Sequence, residues 1–286
     1  MRQLAFRILN VFTIAEQRLS GNPLAVFEDG SGLSDAEMMA LARQFNLSET
    51  TFILPADNAD ATARVRIFTP SYEMPFAGHP TLGTAHVVRQ LRDARDRVTL
   101  EMKVGLVDVI ARGDTWTLRT AKAPVVRKPT ASKAELAAML GLDADAVSEE
   151  PLWVDTGSEQ LVIPLRSAED VAACRPNAEA LGRLGYNEKR GSSMAYVWAP
   201  SEGRTLEARF FFLLGGNLVE DPATGSACAN LGGYLIEQAA TLPIGLTVQQ
   251  GSAIGRPSQL RLRVDEHRNV FVGGEVVELG RGTLRI

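Results

Sequence analysis

The sequence predicts an α+β protein made of two similar domains, and three observations carry that prediction. The chain has 286 residues, which suits two cores of about 140 residues each better than a single core. Each half is rich in short strand patterns and contains one stretch of small residues typical of a central helix. A short motif also recurs about 145 residues later in the chain. We therefore predict an N-terminal domain over 1–118 and a C-terminal domain over 119–286, with the last strand, near 277–286, as a candidate to pack in the first.

The recurring motif joins a strand to the start of a helix. Arg66-Ile67-Phe68 and Arg209-Phe210-Phe211 share the pattern Arg-x-Phe, and each is followed by a Pro-x-x-Gly that ends at Gly78 or Gly225. The prolines are preceded by an acidic residue, Glu73 in the first copy and Asp221 in the second. Coincidence between two proline-initiated helices is the alternative to duplication. If the halves are duplicated, two helix N-termini can face each other across an interdomain cleft, where small-molecule sites commonly lie.

The N-terminal half reads as strands around one long helix, with a second helix near its beginning. Helix 34–45 opens with a capping box, because Ser34 can accept from the backbone and Glu37 stands three residues later. The other predicted elements are strands at 4–12, 24–27, 52–54, 62–69, 99–109 and 115–118 and a helix at 81–90.

The C-terminal half repeats this composition. Prolines at 124 and 129 make 119–135 the expected crossover between the domains, and Ser132 with Glu135 forms a second capping box. The remaining predicted elements are helices at 132–140, 167–174, 177–184 and 227–239 and strands at 152–154, 160–165, 193–199, 210–214, 246–249, 259–264, 270–272 and 274–278.

Composition and motif searches exclude several classes of function. A net charge of −4 argues against binding to nucleic acid or anionic membrane, and no run of 18 apolar residues exists. Two cysteines do not make a disulfide framework, and the N-terminus lacks a signal-peptide core, so we expect a cytoplasmic protein. The sequence has no His/Cys/Asp cluster with metal spacing, no P-loop, no dinucleotide fingerprint and no nucleophile elbow.

Four polar residues near the special turns are candidates for chemistry, and each has a plain structural alternative. Glu49 lies between a helix end and a strand and could be a solvated loop residue. His79 follows the first Pro-x-x-Gly, Asp221 could simply cap the second helix, and Ser226 could be a cap or a ligand donor. Helix starts with bare amides bind anions, because their N–H groups lack partners and the helix dipole is positive there.

Five sequence blocks resemble the PhzF-like phenazine biosynthesis isomerases, and they run in order over nearly the whole chain. One position departs from the family pattern: Asn10 stands where many members have Asp, which we expect to alter a turn or strand contact. The blocks are Asn10-Val11-Phe12-Thr13 with Gly21-Asn22-Pro23-Leu24-Ala25-Val26-Phe27, Asn46-Leu47-Ser48-Glu49-Thr50-Thr51-Phe52, Pro75-Phe76-Ala77-Gly78-His79-Pro80-Thr81-Leu82-Gly83, Glu220-Asp221-Pro222-Ala223-Thr224-Gly225-Ser226-Ala227, and Gln250-Gly251 with Gly255-Arg256-Pro257-Ser258.

The resemblance implies the diaminopimelate-epimerase fold, in which two similar domains each curl a mostly antiparallel sheet around a central helix and the site lies between them. It also implies a reaction that moves a proton within a cyclic amino-hydroxy-diene acid without a cofactor. Glu49 would remove a carbon-bound proton and return it at another carbon. His79 and Asp221 would hold polar substituents of the substrate, and the amides at Gly78, Gly225 and Ser226 would bind its carboxylate.

Racemases of the wider superfamily carry a cysteine at each helix start, where this sequence has Ala77 and Ala223. Cys228 lies about one turn further along and reads as a core residue. Three hypotheses therefore remain: a cofactor-free isomerase, a carboxylate-binding protein without turnover and, less favoured, a racemase or epimerase. For partners we expect a small-molecule carboxylate and a homodimer, with no metal, nucleic acid or membrane. Glu49, His79, Asp221 and Ser226 are expected to converge on one pocket.

Overall fold

The computed structural model describes residues 2–286, which form two compact units. The first comprises the residues up to Arg119 together with Gly273–Ile286, and the second comprises Thr120–Val272. The segment Gly273–Ile286 thus folds with the first unit. The sequence had offered only the strand near 277–286 as a candidate to pack there. Within 2–286, no helix is long and apolar enough to cross a membrane.

The first unit is a closed ring of eight strands. Its order is β1–β2–β3–β4–β6–β7–β8–β18 and back to β1, with β5 added beside β4. The pairings β2–β3 and β4–β6 are parallel. The elements are β1 (Gln3–Thr13), β2 (Asn22–Phe27), α1 (Asp35–Phe45), β3 (Glu49–Leu54), β4 (Ala63–Phe68), β5 (Glu73–Met74), α2 (Gly78–Leu91), β6 (Arg97–Met102), β7 (Gly105–Arg112), β8 (Thr115–Arg119) and β18 (Val270–Arg285), the last contributing from Gly273 onward.

Helix α2 is the centre of this ring, contacting seven of its strands. Its residues from His79 to Val88 are all buried, which explains why its sequence lacks a polar face. Gly83 permits the close approach, because a Cβ there would lie 2.5 Å from Leu24 Cδ2 and 3.0 Å from Val11 Cγ2. Helix α1 packs on the outer face against β3 and β4 and carries the predicted Ser34–Glu37 capping box.

The second unit arranges its strands in the order β9–β10–β11–β13–β14–β16–β17, with β12 beside β13 and β15 beside β14. Helix α6 contacts β9, β10, β11 and β17, and α3, α4 and α5 cover a separate core cluster on the sheet. Its elements are β9 (Val125–Arg127), α3 (Lys133–Met139), β10 (Leu152–Asp155), β11 (Gln160–Pro164), α4 (Ala168–Ala173), α5 (Ala178–Leu184), β12 (Tyr186–Asn187), β13 (Ser192–Pro200), β14 (Thr205–Leu214), β15 (Asn217–Asp221), α6 (Gly225–Glu237), β16 (Ile244–Gln250) and β17 (Ser258–Val264).

The two units repeat one pairing scheme, which supports duplication over coincidence. The run β1–β2–β3–β4–β6–β7 alternates antiparallel and parallel pairs in the same way as β10–β11–β13–β14–β16–β17. The repeat extends to side chains, because each Arg-x-Phe arginine lies over its phenylalanine ring and pairs with a glutamate on the neighbouring short strand. The pairs are Arg66 with Glu73 at 2.8 Å and Arg209 with Glu220 at 2.7 Å.

This register corrects one correspondence drawn from the sequence. Glu73 pairs across the sheet with Phe68, and the residue opposite Phe211 is Glu220. The equivalent of Glu73 is therefore Glu220, and Asp221 corresponds to Met74. Only the second unit has an acidic side chain at this position. Asp221 is therefore not part of the arginine–glutamate ion pair that occurs in both units.

Three element boundaries also differ from the predictions. The stretch 99–109 is part of a hairpin, β6 and β7, because Lys103-Val104 turns the chain ahead of Gly105, whose φ is +105°. The strands expected at 270–272 and 274–278 form one strand, β18. A Cβ at Gly273 would lie 2.4 Å from Trp116 O, so the glycine marks close backbone packing and not a break. Helices α2 and α6 begin at the glycines, a few residues before the predicted starts.

Candidate active site

The first unit brings Glu49 and His79 together. Glu49 is the first residue of β3, and His79 lies in the first turn of α2. The Nε2 atom of His79 is 3.4 Å from the Oε2 atom of Glu49, and the two side chains are only 6% and 15% exposed. The solvated-loop alternative for Glu49 is therefore wrong, because the side chain is largely enclosed and faces a buried imidazole.

The protonation of His79 follows from its surroundings. Burial lowers the pKa of the imidazole to about 3, although a hydrogen bond to the backbone of Pro23 opposes the shift. Proline has only a carbonyl to offer, so the ring donates there, and since Nε2 faces Glu49 the donor is Nδ1. The ring is thus neutral at pH 7, with the lone pair of Nε2 directed at the Glu49 carboxyl group. A hydrogen bond between these two groups requires the proton to come from Glu49.

The Pro23 carbonyl is held by the connection between β1 and β2. Gly21 has a φ of +84°, and a Cβ there would lie 2.5 Å from Val11 O, so the turn requires glycine. Asn10 is 1% exposed, and its Nδ2 donates to the carbonyl of Arg18 in the same connection at 2.9 Å. Asn10, which stands where many family members have Asp, therefore makes a contact within the segment that leads to Pro23.

The N-terminus of α2 has no side-chain cap. Its N-cap residue is Ala77, and the amides of Gly78 and His79 precede the first intrahelical hydrogen bonds. Pro80 has no N–H to satisfy, which suits it to the first turn. As the sequence suggested, this helix begins with backbone N–H donors that no capping side chain occupies.

In the second unit, Asp221 is the last residue of β15 and does not cap α6. The N-cap is Thr224, and its Oγ1 donates to Asp221 Oδ2 at 2.5 Å instead of capping the helix. The structural alternative for Asp221 as an N-cap is therefore wrong. Pro222 likewise lies before the N-cap and not in the first helical turn, because the chain makes a short connection between Asp221 and Gly225.

Gln250 holds this connection in place. Its Nε2 donates to Asp221 O at 2.8 Å and to Thr224 Oγ1 at 3.1 Å, and its Oε1 accepts from the Thr224 amide at 3.3 Å. Because these bonds occupy Thr224, its side chain makes no cap hydrogen bond at the start of α6. The sequence marked Gln250 only as part of a family block, and its role is visible only once β16 is placed beside β14.

Ser226 is half-buried, and its Oγ accepts a hydrogen bond from Gln160 Nε2 at 2.9 Å. Gln160 is in turn bonded to Asn230, one turn further along α6. Sequence reasoning missed both amides. Gln160 opens an apolar strand and Asn230 lies in a small-residue helix, so neither has a local signal that separates it from ordinary polar residues.

The two cysteines and the other two histidines are either buried or in a surface turn. Cys228 is fully buried, and burial raises the pKa of its thiol, as it does for Cys174, whose pKa rises to about 12. His86 is buried against Trp116, and His267 is in an exposed turn. Among residues 2–286, no group of three or more His, Cys, Asp or Glu side chains is arranged to hold a metal ion.

Comparison with known proteins places this geometry in a family. Residues 9–282 match the family described as phenazine biosynthesis-like protein, PhzC-PhzF. The chain belongs to the PhzC-PhzF family. An uncharacterized isomerase of Pasteurella multocida is 37% identical over 98% of this chain and 93% of its own. The trans-2,3-dihydro-3-hydroxyanthranilate isomerase of Pseudomonas aeruginosa is 36% identical over 91% of this chain and 90% of its own.

The solved structures agree on the fold. A PhzF-family protein from Bacillus anthracis superimposes with a TM-score of 0.86 at 24% identity, covering 100% of both chains. The diaminopimelate-epimerase-like fold predicted from the sequence is thereby confirmed, and this PhzC-PhzF member is an isomerase. These relatives disfavour the alternative of a binding protein without turnover. The racemase alternative lacks its chemistry here, because alanine precedes both helices and the nearest thiol is buried.

Proposed function

We propose that this isomerase moves a proton within a small, cyclic amino- or hydroxy-substituted carboxylic acid and needs no cofactor to do so. The single observation that carries the proposal is the enclosed Glu49 carboxyl group facing the neutral Nε2 of His79 at 3.4 Å. A carboxyl group so placed can take a proton and hold it through a hydrogen bond. That property is what a one-base proton transfer requires.

In the proposed reaction, the Glu49 carboxylate removes a proton from a carbon next to the conjugated system of the substrate. The electron pair of that C–H bond moves into the conjugated system, and the double bonds shift. Glu49, now a carboxylic acid, returns the proton to a different carbon on the same face, which restores the carboxylate. Atoms and electrons balance without an oxidant or a reductant, and the enzyme returns to its starting state.

His79 supports the intermediate stage of this sequence. Its Nδ1–H is committed to Pro23, so Nε2 can only accept, and the protonated Glu49 is the donor it faces. The hydrogen bond to His79 therefore forms only when Glu49 is protonated, and it stabilises Glu49 while it holds the migrating proton. A polar substituent of the substrate that can donate is the alternative partner for the same lone pair.

The substrate carboxylate is assigned to the helix starts. The uncapped amides of Gly225 and Ser226 and the amide of Gly78 offer N–H donors at positive helix ends, which favour an anion. Asp221 is assigned to an amino or hydroxyl substituent of the same substrate, since its carboxylate can only accept. Variants in each unit test these assignments separately.

The substrate named for the Pseudomonas relatives, trans-2,3-dihydro-3-hydroxyanthranilate, fits this description and is the compound to assay first. The purified protein would be incubated with it in D₂O, and the product followed by NMR. Isomerisation with solvent deuterium at the carbon that receives the proton supports the proposal. Isomerisation that requires an added metal or redox cofactor after exhaustive dialysis would contradict it.

A further inference from the structure

A line of buried amide groups lies behind Ser226 in the second unit. Gln160 Nε2 donates to Ser226 Oγ at 2.9 Å, and Gln160 Oε1 accepts from Asn230 Nδ2 at 2.7 Å. Gln160 is 2% exposed and Asn230 is completely buried. Two fully packed amides in series behind one hydroxyl group are costly to bury unless every donor and acceptor is matched.

The direction of these hydrogen bonds is set at their far end by the backbone. Asn230 Oδ1 accepts from the Thr156 N–H at 2.9 Å and from the Thr156 hydroxyl at 2.7 Å. Asn230 Nδ2 also donates to the Ser158 carbonyl at 2.7 Å. A backbone N–H can only donate and a carbonyl can only accept, so the Asn230 amide has one permitted orientation.

That orientation passes along the line to Ser226. Because Asn230 presents Nδ2 to Gln160, the Gln160 amide must present its oxygen to Asn230 and its nitrogen to Ser226. Ser226 Oγ therefore receives a hydrogen bond, and its own proton has to point elsewhere. Within residues 2–286 the Ser226 hydroxyl has no second hydrogen-bond partner, and the side chain is half-buried at the uncapped start of α6.

We infer that Gln160 and Asn230 are positioning residues that make the Ser226 hydroxyl a donor to the substrate carboxylate. The hydroxyl then joins the amides of Gly225 and Ser226 in a set of donors. Such a set favours an anion and disfavours a ligand group that must itself donate. This inference rests on the proposed function, because it takes α6 as the place where the carboxylate binds.

Gln160→Met tests the inference with little disturbance to the fold. Methionine fills a similar volume without an amide, and Asn230 Nδ2 keeps its bond to the Ser158 carbonyl, so no buried donor loses every partner. In this variant the Ser226 hydroxyl loses its fixed direction.

Gln160→Glu reverses the direction of the Ser226 hydroxyl. One carboxylate oxygen can accept from Asn230, while the other accepts the Ser226 proton and turns it inward.

The probe is anthranilate, an aromatic acid with a carboxylate and a ring amine, compared with the uncharged anthranilamide. Calorimetric titration is expected to show the Kd of anthranilate raised about threefold to tenfold by Gln160→Met and about tenfold to 100-fold by Gln160→Glu. The Kd of anthranilamide should change less than twofold in Gln160→Met. Urea unfolding of each variant verifies that the protein is folded.

A double-mutant cycle with Ser226→Ala separates positioning from packing. If Gln160 acts through Ser226, Gln160→Met should weaken anthranilate binding less than twofold in the Ser226→Ala background. An equal loss in both backgrounds overturns the positioning role and leaves the carboxylate site intact. Wild-type binding of anthranilate by Ser226→Ala would overturn the donor role inferred for the Ser226 hydroxyl. The proposed function fails separately, if Glu49→Gln retains turnover, so the two failures are distinguishable.

Thr156→Val provides a comparison within the same buried line. It removes one donor to Asn230 but leaves the Thr156 backbone N–H, so every amide keeps its direction. We expect this variant to raise the Kd of anthranilate less than Gln160→Met does. A loss as large as that of Gln160→Glu would show that rigidity matters and orientation does not, which contradicts the inference.

Discussion

The imidazole of His79 presents a lone pair to the carboxyl group of Glu49 across 3.4 Å, with both side chains largely removed from solvent. The arrangement is favourable when a proton lies on Glu49 and unfavourable when neither group carries one. The pair is therefore suited to hold a proton for part of a reaction cycle.

Glu49→Gln is expected to abolish isomerisation. Glutamine preserves size and one carbonyl oxygen but cannot accept and return a proton. Loss of general acid–base catalysis typically costs about 10²–10⁴ in rate, and a residue that performs both transfers should lie at or above the upper end. The measurement is turnover of trans-2,3-dihydro-3-hydroxyanthranilate in D₂O, with anthranilate binding as a test of site integrity.

Glu207→Gln is the matched control for this change. Glu207 is a half-buried glutamate on a strand of the second unit, distinct from the proposed catalytic groups, so the substitution removes the same charge without touching them. It should retain wild-type turnover. Turnover of Glu49→Gln within tenfold of the control would remove Glu49 from the mechanism.

His79 should make the protein less stable as the pH falls below neutrality. The folded-state pKa of about 3 lies below the ordinary value of 6.5, so the unfolded chain takes up the proton first. The contribution is complete above pH 6.5 and falls toward pH 3, by about 1.4 kcal/mol per pH unit. Burial also lowers the pKa of His86, which adds a loss in the same direction.

His79→Asn isolates the contribution of His79. The asparagine amide can still donate toward Pro23 but has no group that titrates. Urea unfolding at pH 6.5 and 5.5 should therefore show a smaller loss of unfolding free energy in the variant than in the wild type. Equal losses in the two proteins, with equal dependence on urea, would contradict a neutral buried ring.

Asp221→Asn should reduce activity with little effect on stability. Asparagine can accept from Thr224 through its Oδ1, and Thr224, not Asp221, is the N-cap of α6, so the unfolding free energy should fall by less than about 1 kcal/mol. Loss of a charged acceptor for a substrate donor should lower kcat/KM by about tenfold to 100-fold. Unchanged kcat/KM would remove Asp221 from the substrate contacts.

Gly251→Ala should destabilise the connection that leads into α6. Gly251 has a φ of +80°, and a Cβ there would lie 2.5 Å from Pro222 O and 2.3 Å from Arg256 O. Gly255 also has a positive φ, +69°, but no atom lies within 4 Å of its added Cβ. Gly255→Ala should therefore cost only the conformational strain, about 1–2 kcal/mol.

Comparing the two glycine variants separates strain from overlap. Thermal unfolding should give a distinctly larger loss for Gly251→Ala, together with reduced anthranilate binding as Pro222 is displaced. Equal losses would show that the overlap with Pro222 is relieved without consequence. The comparison uses two glycines of one short segment with similar backbone conformation, so the surroundings of the Cβ are the main variable.

Much of the fold was predictable because it depends on local patterns. The capping boxes at Ser34 and Ser132 occur as expected, since they require only two residues three positions apart. The hairpin between β6 and β7 was missed, because alternation of apolar residues continues through Lys103 and Val104 and the turn is marked only by Gly105. Alternation of apolar and polar residues identifies strands well, but it does not reveal a short turn when the alternation continues unchanged from one strand into the next.

The residues of the candidate site could be predicted from the sequence, but the contacts between them could not. Glu49 and His79 were named from family blocks, but 30 positions of chain separate them, and only the parallel pairing of β2 and β3 beside α2 brings them within 3.4 Å. Glu220 was overlooked as the partner of Arg209, because the acidic residue nearest the proline in sequence is Asp221. Cross-strand register, which a sequence does not display, resolves such neighbours.

The sequence by itself determined the α+β class, the duplicated strand–helix motif and the chemical types available at the helix starts. These properties reside in residue order and short-range geometry. The tertiary structure decided which polar atoms meet: the neutral His79 against Glu49, Thr224 turned to Asp221, and two buried amides that direct the hydroxyl of Ser226. Hydrogen bonds act over about 3 Å between residues far apart in the chain, so only the folded backbone can select the partners.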